Sequence, residues 1–154
     1  MFSMNFSSLK KLEQKITQKK SEMKTLHRRL LYDFGRDTQK EIKEEMTKKN
    51  KTGRVYKVYS GVGGNRLVNA RLHRASAKLE HPAVRSGNLR NSMYFKVRGS
   101  DSVVIGASAK YAKYLEFGTS RMAARKFLER TADKKIHQFA TKTQNEFGKL
   151  FRSI

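Results

Sequence analysis

At 154 residues, with 35 basic against 13 acidic side chains, the chain carries a formal net charge of +22 and contains no cysteine. The missing cysteine excludes disulfides, thiolate metal sites and thiol nucleophiles. The length suits one domain, 1–154, that can bury roughly 70% of the surface its unfolded form exposes.

The charge is not a basic tail. Residues 1–50 hold 13 basic and 7 acidic side chains, 51–100 hold 11 and 1, and 101–154 hold 11 and 5, so the net values are +6, +10 and +6. Spread charge of this size implies a polyanion or a strongly acidic protein surface nearby, because self-repulsion otherwise destabilises the compact state. The apolar share of 37% is below the ~45–50% usual for globular domains and predicts a modest core. MFSMNFSS is followed by no apolar stretch of signal-peptide type. No run approaches the ~18 apolar residues that span a bilayer, so no membrane partner is expected.

In chain order, residues 8 to about 49 read as helix. Leu9, Leu12, Ile16, Met23, Leu26, Leu30, Phe34, Ile42 and Met46 recur at steps near three and four, the spacing of one helix face. Ser7 or Ser8 supplies an N-cap. Lys19 or Lys20 interrupts the seam, and Gly35 predicts a kink or break. An unbroken helix of this length would reach ~60 Å, which requires either that break or a neighbouring chain to pack against. This helical region, 1–50, precedes a core at 51–154. Residues 54–59, RVYKVY, alternate as a strand, and GVGGNR at 61–66 reads as a loop. The basic stretch 67–88 predicts an irregular connection with a short helical turn near 71–79. Residues 89–97 and 102–107 form a hairpin around a Gly-containing turn. A short helix at 109–116 stops at Gly118, and a second long helix runs over 125–150. The fold class is α+β: a small antiparallel sheet packed with a long N-terminal and a long C-terminal helix.

No catalytic, cofactor or metal constellation emerges, and no enzyme is expected. His27, His73, His81 and His137 make no ligand-spaced pair, and Glu41 with Glu45 is an ordinary i,i+4 surface pair. Gly61, Gly63 and Gly64 fit neither a Walker nor a dinucleotide loop. Arg66, Arg71, Arg74, Arg85 and Arg90 are the candidate DNA-facing residues, yet no recognition helix or RNP-type aromatic motif accompanies them. A basic nucleic-acid-binding protein of nucleoid or packaging type is the alternative reading. Residues 110–128, KYAKYLEFGTSRMAARKFL, are different. Tyr111, Leu115 and Phe127 read as core, with Tyr114 and Phe117 in the same apolar corner. Small residues with Met122 between Arg121 and Arg125 suit a protein interface. Glu116 is a candidate ion-pair partner for an arginine of the same loop or of a neighbour.

The segment Tyr111, Ala112, Tyr114, Glu116, Phe117, Gly118, Thr119, Met122, Ala124, Arg125, Phe127 and Leu128 resembles the signature of the tail-completion, or head–tail joining, proteins of long-tailed bacteriophages. Upstream, Arg74-Ala75-Ser76, Pro82, Ser86-Gly87, Leu89 and Ser92-Met93 resemble a second block of that family, so the likeness covers roughly residues 50–150. Lys126 stands where the family often has proline, which predicts an earlier start to the last helix and a looser loop before it. Ala77-Lys78-Leu79-Glu80 replaces the family's turn of the Ala-Pro-Gly-Glu type.

The resemblance implies a non-enzymatic virion protein of the phage neck, assembled in the host bacterial cytoplasm. It implies a homo-oligomeric ring, commonly of six subunits. Its neighbours would be head connector or adaptor proteins on one side and tail tube or tail terminator proteins on the other, with genomic DNA passing through. Tyr114, Glu116, Phe117, Gly118, Thr119, Arg121, Met122 and Arg125 then become the expected subunit interface. Glu116, Glu129 and Asp133 are the expected acidic face of a ring contact.

Overall fold

A computed structural model describes residues 6–59 and 70–152. The GVGGNR loop and Arg66 lie outside the described residues. The element order is α1 (Phe6–Thr47), β1 (Val55–Tyr59), β2 (Ala70–Arg74), α2 (Asn88–Asn91), β3 (Met93–Arg98), β4 (Ser102–Ala107), α3 (Ala112–Phe117) and α4 (Phe127–Arg152). The fold is α+β, as the patterning predicts, but with two two-stranded antiparallel sheets, β1–β2 and β3–β4, in place of one.

α1 is a continuous helix of 42 residues, about 63 Å at 1.5 Å per residue. It does not break at Gly35. A Cβ at that position would lie 2.6 Å from Phe95 Cδ2 and 2.9 Å from Val103 Cγ2. The glycine is therefore a place of close approach, where the β3–β4 hairpin sits against the helix. Gly35→Ala tests this. The gain in helix propensity, about 1 kcal/mol, works against an overpacking cost of about 1–3 kcal/mol. Denaturant unfolding is expected to show a net loss of about 1 kcal/mol; a net gain would mean that the hairpin yields freely.

α4 runs antiparallel along the C-terminal part of α1. Phe34 meets Phe139 with ring centroids 5.0 Å apart, and His27 meets Phe147 at 6.1 Å. Lys134 pairs with Glu41 at 2.8 Å and Lys142 with Asp33 at 3.4 Å. The core gathers Ile42, Met46, Leu89, Met93, Ala112 and Phe127, where this half of α1 meets the start of β3, α3 and the start of α4. The N-terminal half of α1 lacks such cover. Phe6, Leu9, Leu12, Ile16 and Met23 stay exposed, Ile16 at 59%.

β2 occupies residues where a short helical turn is expected from the sequence. Its register, Val55↔Arg74 through Tyr59↔Ala70, rests on backbone pairing with β1. Leu72 is 70% exposed, so neither burial nor alternation marks the strand. The β3–β4 hairpin runs in register from Met93↔Ala107 to Arg98↔Ser102, its turn carried by Gly99 at φ 61°. Residues 89–91, read as part of that strand, belong instead to a single helical turn, Asn88–Asn91.

The turn at 77–80 is tied to the chain entering β1. The Glu80 carboxylate accepts from the Thr52 hydroxyl at 2.5 Å, the Thr52 N–H at 3.1 Å and the Ala77 N–H at 2.8 Å. The Thr52 hydroxyl, then the Ala77 N–H, hold this carboxyl down at about 2, against an ordinary 4.5. A carboxyl depressed in the folded state stabilises above its unfolded value and loses that contribution as pH falls through the folded one. Thermal melts between pH 4.5 and 2 are therefore expected to fall less steeply for Glu80→Gln than for the parent chain, and the variant melts lower at pH 7. Parallel pH profiles would overturn this reading.

Candidate interface surface

Residues 111–128 fold as a strap around the start of α4. α3 ends at Gly118, which has φ 79° and ψ −176°, a region open to glycine alone. A Cβ there would lie 2.8 Å from both the Met122 O and the Ala124 N. Thr119 and Met122 close a tight turn, with the Thr119 N–H donating to the Met122 O at 2.8 Å and the Met122 N–H to the Thr119 O at 3.2 Å. The chain then returns alongside α3. The Arg125 N–H donates to the Leu115 O at 2.8 Å, and the Lys126 N–H to the Glu116 O at 3.3 Å.

Glu116 closes the strap. It is 5% exposed, and its carboxylate accepts the backbone N–H groups of Leu128 and Glu129, each at 2.9 Å. These are orphan donors of the first turn of α4, and an anion there is favoured by the helix dipole. Its partner is thus a helix N-terminus, not the arginine expected from the sequence. α4 accordingly begins at Phe127 and not at Arg125. Lys126 adopts φ 45°, which proline cannot reach. The last helix therefore does not start at Arg125, the earlier start expected from the sequence.

The expected core residues divide. Phe127 is fully buried and Leu115 packs against the core, but Tyr111 is exposed. Tyr114 is 49% and Phe117 78% exposed, side by side on a helix fixed from both ends. Arg121 and Thr119 are exposed in the adjoining turn, while Met122 is half-buried. Of the expected acidic face, Glu116 is consumed by the cap and Glu129 pairs with Lys126 at 2.9 Å. Only Asp133 stays exposed among them without an ion pair.

Among the described residues, the candidate DNA-facing arginines do not form one stripe. Arg71 pairs with Val58, and Arg74 with Val55, so alternation puts them on opposite faces of the β1–β2 ladder. Arg85 and Arg90 instead line a cleft of about 510 Å³ together with Arg125. Residue order alone could not bring these three together.

A family model described as "Bacteriophage HK97-gp10, putative tail-component" matches residues 7–118. The chain belongs to this HK97-gp10-like family. The match takes in α1, both hairpins and α3, and ends at Gly118. The N-terminal helix, the less diagnostic part of the sequence, is thus inside the family region, while the turn and start of α4 at 119–128 lie beyond it. No curated protein and no solved structure matches the chain. As a member of this family the protein is a phage tail component, which places it in the virion. Among the described residues, no helix is long and apolar enough to cross a membrane.

Proposed function

We propose that this tail component forms a ring at the neck of the virion, commonly of six subunits, which completes the tail and joins it to the head connector around the DNA channel. The observation that carries the reading is the exposed aromatic pair Tyr114 and Phe117, held on a capped, closed strap with Arg121 beside it. A contiguous exposed apolar patch on a rigid element is what a subunit joint requires. The exposed N-terminal half of α1 supports the same reading, since a neighbouring chain would cover its apolar stripe. The +22 charge then has two uses, proximity to DNA and contact with acidic neighbours.

Electron microscopy of particles from a phage lacking only this protein tests the proposal. DNA-filled heads beside free, full-length tails are the expected result. Intact virions or empty heads would overturn the assignment to tail completion.

A further inference from the structure

We propose that the cleft shared by Arg85, Arg90 and Arg125 is a docking site for an acidic segment, with an apolar side chain among its carboxylates, from a different virion protein. This deepens the proposed function and rests on it. The cleft of about 510 Å³ lies between the β1–β2 ladder, residues 82–90 and α3, and its volume is in the range of ligand sites. Met46, Leu89 and Leu115 are among its apolar lining residues.

No aspartate or glutamate among the described residues lines the cleft. Among the described residues, none of the three arginine side chains has a hydrogen bond or ion pair. Elsewhere the chain spends its acids readily on lysines, as at Lys126–Glu129 and Lys149–Glu146. Arg125 is half-buried and is fixed by its own backbone bond to Leu115. Burial disfavours its charge first, and nearby Glu80 opposes this, but Glu80 is already bound to Thr52 and Ala77. A planar guanidinium placed this way suits a carboxylate bidentately.

Two observations select a protein occupant. The cleft is concave and sets apolar Met46, Leu89 and Leu115 beside its arginines, whereas a phosphate backbone is engaged through Lys and Arg. Tyr111, Leu115 and Arg125 also bring to its wall the same segment that presents the exposed Tyr114 and Phe117. A second copy is the poorer occupant, because it would bring a formal net charge of +22 against the same basic cleft.

Fluorescence anisotropy on the full-length chain at physiological salt tests the site. The probe is a labelled peptide alternating Asp or Glu with Phe and Leu. Its controls are the same peptide with Ser for the apolar residues, and labelled single-stranded and duplex oligonucleotides. Saturable binding of the first peptide is expected. Arg90→Ala and Arg125→Lys should each weaken it about 10-fold or more, while Arg98→Ala, exposed at the tip of the β3–β4 hairpin and outside the cleft, leaves it unchanged. Thermal melts confirm that the variants are folded. Equal binding of the Ser peptide, no peptide binding, or oligonucleotide binding that depends on Arg90 and Arg125 would each overturn the proposal. If particles lacking the protein still show free tails beside full heads, such a result removes the cleft assignment alone. If those particles are intact, the function itself falls.

Discussion

Replacing Glu116 with alanine is expected to lower the unfolding free energy by about 3 kcal/mol, measured by denaturant titration. The carboxylate satisfies two backbone N–H groups at the start of α4, in a site 5% exposed. Each buried donor left unpaired costs about 1–3 kcal/mol, and loss of an N-terminal cap costs about 1 kcal/mol in its own right. The two estimates describe the same bonds and are not summed. Glu116→Gln keeps the shape and one good acceptor, so it should lose about half as much. Loss of the cap also frees the return of the strap, which otherwise meets α3 at Leu115 and Glu116. Proteolysis within 118–126 should therefore rise in the alanine variant. An alanine variant within about 0.5 kcal/mol of the parent would mean that water replaces the carboxylate without cost.

Glu116 also marks where the sequence stops being readable. A carboxylate among arginines and lysines invites an ion-pair reading, because the charges are visible and the fold is not. The cap partner lies 12 residues on and is a pair of backbone groups, which carry no sequence signature. Gly35 fails in the opposite direction. A glycine within a helical seam signals a break on propensity alone, and only the approach of Phe95 and Val103 turns it into a packing position. β2 was hidden because it buries neither face. By contrast, the two long helices, the β3–β4 hairpin and the Gly118 stop were legible, since each is written in local periodicity or in a backbone demand. The candidate interface was legible as a segment. Its division into a buried cap, a buried Phe127 and an exposed Tyr114–Phe117 pair needed the third dimension, as did the meeting of Arg85, Arg90 and Arg125.

Phe117→Asp is expected to abolish assembly while leaving the monomer folded. At 78% exposure the ring contributes little to the free chain, so unfolding should shift by no more than about 0.5 kcal/mol. In a ring the same substitution falls in every subunit contact. A buried aromatic anchor at an interface is typically worth about 2 kcal/mol or more, roughly 30-fold per contact, and an introduced carboxylate adds an unpaired charge. Arg121→Glu is the companion variant, since Arg121 is also exposed and its side chain holds no intrachain ion pair among the described residues. Met122 and Arg125 are poorer probes. Both are half-buried, Met122 closes the Thr119 turn through its backbone and Arg125 is anchored on Leu115, so a failure there would confound folding with assembly. Complementation of a phage lacking the protein should give no viable particles with Phe117→Asp. Size-exclusion chromatography with light scattering should show the variant monomeric under conditions where the parent chain oligomerises. Full complementation by Phe117→Asp would remove the α3 surface from the subunit joint and leave the N-terminal half of α1 as the stronger candidate for it.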